Sequence, residues 1–339
     1  MNDLGRDILV SDRCTLWLID DVHNETYTHV GHGIDALRMT QDKGIVGECI
    51  QGKRPIIINN VYDDERFNKE MDLKTGYKTE SILAVPIYRN DGHVMGVYQA
   101  INKLAGDKMF TNQDIERLIM TATFSSKSIE SAVLYEEVEE TQKELVYILG
   151  EAGESRSKET GNHVRRVGEF SYVLAKAYGL NEEECQLIRL GAPLHDLGKV
   201  AIPDAILNKP GKLTEEEFEI MKDHAVIGYN ILNKSQRRIL QAAAIMAYEH
   251  QEKYNGRGYP RGLKGEEIHI YGRICAIADV FDALSHDRCY KKAWPFDKVV
   301  SLFIEERGEH FDPHIVDLML ENIDEFKRIK DEYADKFDH

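Results

Sequence analysis

The chain has 339 residues, enough for two or three domains, and 42% of them are hydrophobic, an ordinary share for a protein with packed cores. Lys and Arg number 43 against 59 Asp and Glu, a net charge of −16, which argues against non-specific nucleic-acid binding through phosphate neutralisation and leaves DNA and RNA out of the expected partners. No apolar run approaches the length of a membrane span, so no membrane partner is expected, and the start MNDLGRDILV is too charged and too short for a signal peptide.

Residues 1–110 read as α+β. Short apolar, β-branched runs at 13–20, 54–60, 81–88 and 93–102 are separated by turn signals such as Asn90-Asp91-Gly92. They predict an antiparallel sheet with flanking helices in a small sensor domain, 1–125. No proline occurs from Ile87 to Ala192. Across 111–150, Ile129, Val133, Val138, Leu145 and Ile148 recur at loosely helical spacing, with Glu136–Glu140 on a polar face. This predicts a long helix, with 126–150 a linker and coiled-coil candidate through which the chain would form a homodimer; the alternative is a solvated helix packed on one domain.

Residues 151–339 read as all-helical. Thr214 and Glu217 form a capping box, and Phe218, Met221, Ala225 and Gly228 mark a buried helical face. Five scattered cysteines, Cys14, Cys49, Cys185, Cys275 and Cys289, form no CxxC pair, which points to a reducing, cytoplasmic compartment.

Ligand-type residues stand out on these helices. His195 and Asp196 are adjacent and followed by Gly198-Lys199, with Cys185, Ile188 and Ala192 turning His195 inward. His163 falls on an inward stripe with Val167 and Leu174, and Glu159 lies four residues before it on the same face. His224 borders the buried face at Ala225, His250 follows Leu240, Ala243 and Ala247, and Asp279 interrupts an apolar run. A lone buried carboxylate is costly unless paired or metal-bound. A mixed imidazole and carboxylate set suits Fe, Mn or Zn. His23, His29, His93, His269, His286, His310 and His339 sit in polar surroundings and are expected to be exposed.

His163, His195-Asp196 and Asp279 resemble the H…HD…D pattern of the HD superfamily of metal-dependent phosphohydrolases. Glu159-Thr160-Gly161-Asn162-His163, Asn255-Gly256-Arg257-Gly258-Tyr259-Pro260, Ala278-Asp279-Val280-Phe281-Asp282 and Phe311-Asp312-Pro313 narrow the resemblance to the HD-GYP subfamily over 151–339. The resemblance implies a phosphodiesterase that hydrolyses cyclic di-GMP to pGpG, and onward to GMP, by attack of metal-activated hydroxide, with cyclic GMP-AMP as an alternative substrate. It implies two or three divalent metals, most often Fe or Mn, on Glu159, His163, His195, Asp196, His224, His250 and Asp279. Asp196 and Lys199 would carry catalysis. Lys199, Tyr259, Pro260, Asp282, Arg288 and Lys291 would bind substrate, and GGDEF-domain proteins are partners of the kind implied.

One position departs from the pattern. The family reads His-His-Glu where this chain has His250-Gln251-Glu252. A Gln carbonyl is a weaker donor to these metals than imidazole. Either the second metal persists, or its occupancy and the rate fall, or the domain is a receptor that binds without cleaving.

In the first domain, Thr75-Gly76-Tyr77-Lys78-Thr79, Ser81–Ile87 and Asn102-Lys103 resemble GAF sensor domains, above all those that bind cyclic nucleotides. Asn102, Lys103, Phe110 and Asp114 match that kind's signature, while Ile115 interrupts it before Glu116. The resemblance implies a small ligand such as a cyclic nucleotide, or else a domain used only for dimerisation and packing. The first helix, Leu4–Val10, is shorter than the family's, which implies truncation at that edge.

Overall fold

The computed structural model describes residues 2–28, 37–67, 69, 72–73, 76–157, 161–286 and 292–334. The chain divides into two compact units, 1–138 and 139–339.

The first unit is built on one antiparallel sheet. Helix α1 (Asn2–Leu9) leads into β1 (Ser11–Asp20), then β2 (Glu25–Tyr27), β3 (Arg38–Thr40), α2 (Gly44–Gly52), β4 (Ile56–Ile58), β5 (Ile82–Tyr88) and β6 (Val94–Lys103). The strand order is β3-β2-β1-β6-β5-β4. The four runs predicted as strands are β1, β4, β5 and β6. Strands β2 and β3, three residues each, are too short to show a period of two. That period decides the two cores. Cys14, Leu18, Leu83, Val85 and Ile87 point to one face, with Leu9 and the long helix against them. Trp17, Ile82 and Ala84 point to the other, where Ile45, Val46 and Cys49 of α2 cover them. The register pairs Cys14 with Ala100 and Trp17 with Val97, so each face is continuous across the sheet.

Helix α3 (Asn112–Glu154) is a single 43-residue element. The second unit continues with α4 (Gly161–Tyr178), α5 (Glu182–Gly191), α6 (Asp204–Leu207), α7 (Glu215–Leu232), α8 (Arg238–Glu249), α9 (Ile270–Ser285), α10 (Phe296–Glu305), α11 (Pro313–Glu321) and α12 (Ile323–Glu332). The capping box predicted at Thr214 and Glu217 opens α7. The core is aromatic at its centre. Phe170 stacks on Phe326 with ring centroids 4.7 Å apart, and Phe281 meets both edge-on. Helices α4, α8 and α9 pass through this core, so the residues just beyond their apolar stripes are held rigidly. Among the described residues no helix is long and apolar enough to cross a membrane.

Candidate metal centre

Six of the residues singled out in the sequence meet in one buried space in the second unit. His163 comes from α4, His224 from α7, His250 from the end of α8 and Asp279 from α9, while His195 and Asp196 sit on the turn after α5. Gly198 permits the approach. A Cβ there would lie 1.9 Å from the His224 carbonyl oxygen, so only glycine lets the 197–201 turn press against α7.

Each imidazole is oriented through its Nδ1. The His195 Nδ1–H donates to the Ala192 carbonyl at 2.8 Å, that of His224 to the Met221 carbonyl at 2.7 Å, and that of His250 to the Met246 and Ala247 carbonyls at 3.1 Å. That of His163 donates to Asp282 Oδ2 at 2.7 Å. Carbonyl and carboxylate oxygens only accept, so the proton is on Nδ1 and Nε2 faces inward. His224 Nε2 and His250 Nε2 lie 3.4 Å from each other and 3.2 and 3.4 Å from Asp196 Oδ1. On the other side, His195 Nε2 is 3.2 Å from Asp196 Oδ2 and 3.7 Å from Asp279 Oδ1, which is 3.8 Å from His163 Nε2.

This donor set fits divalent cations. Electron-pair donors face one another at van der Waals range, an arrangement that repels unless a cation lies among them. His195 Nε2 and Asp196 Oδ1 are buried without a hydrogen bond. Lys199 shows where positive charge is wanted: its ammonium lies 2.6 Å from Asp196 and 3.3 Å from Glu154. Burial pushes His195 down, but Asp196 and Asp279 overcome it and hold the imidazole up to about 10. The same field that holds a proton there would hold a metal, which would displace it. Burial pushes Asp196 up, yet Lys199, His195 and His224 hold it well below the usual carboxylate range. Burial keeps His250 below its ordinary value, hence neutral and able to ligate.

The structure adds one residue that the sequence reading missed. Glu154, the last residue of α3, is 2% exposed, and its carboxylate lies within 4.8 Å of ligand nitrogens of both His163 and His195. No inward stripe pointed to it, because α3 ends there and the stripe argument needs a helix that continues. Glu159, assigned the carboxylate role at this end, lies outside the described residues, as do Arg288 and Lys291.

Asp282 requires correction. It was expected to bind substrate, but it is 2% exposed and sits behind His163, where it also accepts from Arg166 Nε at 2.5 Å. It orients a ligand rather than facing a pocket. Two histidines expected at the surface prove otherwise: His286 is nearly buried against Asp282, and His310 is half-buried, stacked on Phe311. His269 is exposed as expected and caps α9, its Nδ1 accepting from the Tyr271 N–H. His23 and His93 are exposed, and His29 and His339 lie outside the described residues.

The loop after α8 borders the site. Tyr259 sets its ring edge-on to His224, centroids 6.2 Å apart, and its N–H donates to the Gln251 carbonyl at 3.2 Å. Glu252 anchors the loop, accepting from the N–H groups of Arg261 and Leu263 at 2.8 and 3.0 Å. Pro260 follows Tyr259 on this loop, half-buried.

The first unit has a cavity of its own, about 240 Å³, between the sheet and α2. Trp17, Phe67, Ile101, Thr15 and Gln99 are among its lining. Asn102, Lys103, Phe110 and Asp114 are not among the described lining residues. They brace the fold instead. Lys103 Nζ and Asp114 Oδ1 form a buried pair at 2.7 Å. Asn102 takes a left-handed φ of 57°, tolerable for Asn, and accepts from the Glu80 and Ser81 N–H groups.

Comparison with known proteins agrees with this division. Residues 2–129 match the family model of the GAF domain and residues 151–315 that of the HD domain. A 3'3'-cGAMP-specific phosphodiesterase 2 of Vibrio cholerae is 49% identical over 203 residues, covering 60% of this chain and 39% of its own. The cyclic di-GMP phosphodiesterase response regulator RpfG of Xanthomonas campestris is 44% identical, covering 58% and 52%. A cyclic di-GMP phosphodiesterase of Thermotoga maritima is 41% identical, covering 66% and 61%. The chain thus spans about half the length of these curated relatives.

Proposed function

We propose that this chain, a GAF domain followed by an HD domain, is a metal-dependent phosphodiesterase acting on a cyclic dinucleotide. The observation that carries the reading is the convergence of four imidazole Nε2 atoms on the carboxylates of Asp196 and Asp279. His163, His195 and Asp279 would hold one divalent metal, His224 and His250 another, with Asp196 available to both and Glu154 adding a donor beside His163. Bound there, such metals supply Lewis-acid charge and an activated water at neutral pH.

The chain's own residues do the rest. Lys199 would set its ammonium against a non-bridging phosphate oxygen, where charge grows in phosphoryl transfer. Tyr259 and Pro260 would shape the wall against a base, and Arg288 and Lys291 would grip the phosphates. Cyclic di-GMP is the proposed substrate, cut to linear pGpG and then to GMP. The name of the 49% identical relative makes 3'3'-cGAMP the substrate to test beside it. The GAF domain is proposed as the regulatory part, with a small ligand such as a cyclic nucleotide in its cavity. A homodimer is proposed through α3, whose outer face exposes apolar side chains.

One observation favours a second reading. Gln251 follows His250 where the resemblance implies a second histidine, so the domain could be a weak enzyme or a receptor. Anaerobic purification, elemental analysis and chromatography of products from both dinucleotides test this. Two metals per chain and linear product support the enzyme. One metal or none, with tight binding and no product, supports the receptor.

A further inference from the structure

The helical spacing that marks Phe218 as part of the buried face of α7 fails at that residue, which is 44% exposed. Neither apolar core of the second unit takes it in. Its ring stands instead edge-on to that of Tyr259, centroids 6.2 Å apart, and Tyr259 is in turn edge-on to His224. Lys222, one turn along α7 from Phe218, sets its ammonium 5.0 Å from the centre of the Phe218 ring and 5.7 Å from that of Tyr259. The carboxylate that pairs with this ammonium, Glu219 at 2.6 Å, is largely exposed. A pair of that kind is worth little in water, so the cation exchanges it at low cost. Three rings thus run outward from the metal centre, His224, Tyr259 and Phe218, and a cation lies beside the outer two.

We propose that Phe218 and Lys222 form a guanine subsite beside the metal centre, Phe218 as the stacking face and Lys222 as the reader of the base edge. The inference rests on the cyclic-dinucleotide reading above and adds residues that select the base. A base is joined to its phosphate through one ribose, so a phosphate held at the metals leaves its base within reach of this wall. An aromatic ring turned to water accepts any base through its π face, which supplies affinity without selection. The ammonium supplies the selection, because it only donates. Guanine shows it two acceptors on one edge, N7 and O6, whereas adenine replaces O6 with an amino donor. Guanine therefore satisfies the cation at both positions and adenine at one.

The test uses the full chain, loaded anaerobically with Mn(II). Where the parent cleaves, it reads KM for cyclic di-GMP and the inhibition constant of cyclic di-AMP as competitor; where the parent does not cleave, equilibrium dialysis reads both dissociation constants. Phe218→Leu, apolar but without a π face, should weaken cyclic di-GMP by roughly ten-fold, and the loss should fall on KM rather than kcat. Phe218→Trp, which keeps a stacking face, should stay near the parent. Lys222→Met should narrow the preference for cyclic di-GMP over cyclic di-AMP by about ten-fold. Metal per chain should match the parent in all three variants. Unchanged affinity in Phe218→Leu, or a Trp variant as weak as the Leu one, overturns the stacking face. A fall in bound metal makes the ring a brace for the 251–260 loop and overturns it too. Equal weakening of both dinucleotides in Lys222→Met overturns the reading of the base edge. A parent that neither cleaves nor binds cyclic di-GMP overturns the proposed function and this subsite with it, whereas an active parent with unaffected variants overturns the subsite alone.

Discussion

Both units bury charged side chains, but they use them in opposite ways. In the first unit Lys103 and Asp114 neutralise each other at 2.7 Å, and Thr111 donates to the same carboxylate. Burial pushes Asp114 up, Lys103 and Thr111 outweigh it, and the carboxyl ends below its ordinary value. Nothing is left over for a ligand. In the second unit the buried groups do not balance. Donors face donors around Asp196, and the Lys199 ammonium spans the Asp196 and Glu154 carboxylates. A buried ionic set that closes on itself supports a fold; one that leaves electron pairs converging is a binding site.

The sharpest way to break this contrast is to remove the shared carboxylate. Asp196→Ala should lower turnover of the cyclic dinucleotide by on the order of 10³-fold or more and lower the metal bound per chain, both read on anaerobically loaded protein. The opposite behaviour is expected of the self-balanced pair. Lys103→Met leaves buried Asp114 only the exposed Arg117 guanidinium at 3.7 Å and should cost about 3 kcal/mol in thermal or urea unfolding, with metal per folded chain unchanged. A loss of metal in that variant would erase the distinction between the two sets.

A smaller effect separates buried neutral from buried charged histidine. Burial, with Lys253 nearby, brings His310 down to about 4. An unfolded histidine titrates near 6.5, so between those values the unfolded chain takes up a proton that the folded one refuses. Stability should therefore fall as pH drops from about 6.5 to 4, by on the order of 1–3 kcal/mol, and be independent of this group above 6.5. His310→Gln should flatten that slope in urea titrations at stepped pH. The smallest change expected is a gain. Gln251→His should tighten the weaker metal by roughly ten-fold in a Mn(II) titration, since imidazole is the better donor. An unaltered titration would mean that position 251 does not face the His224–His250 side.

Much of the site was legible before any fold was known. His163, His195, Asp196, His224, His250 and Asp279 were each marked by a ligand-type residue on or beside an apolar helical stripe, and the structure brings all six together. Asp282 was misread because it shares a motif with Asp279. Three residues apart on one helix, both face inward, but at different depths, and only the surrounding helices show that one lies behind His163. Glu154 left no mark because its partners His163 and His195 are nine residues and more away in the chain. The apolar residues of α3 were likewise read as one loose stripe, when Ile129 and Val133 serve the sheet and Val138, Leu145 and Ile148 face outward.

By itself, then, the order of residues determined the local things: which segments are helix or strand, where Thr214 starts a helix, which side chains carry metal-type donors. These follow from periodicity and capping, forces that act over a few residues. Tertiary structure decided which donors share an ion, which buried charges cancel, and which stripe of α3 stays in solvent. Those outcomes depend on contacts between residues distant in the chain, and no local period encodes which distant element arrives to make them.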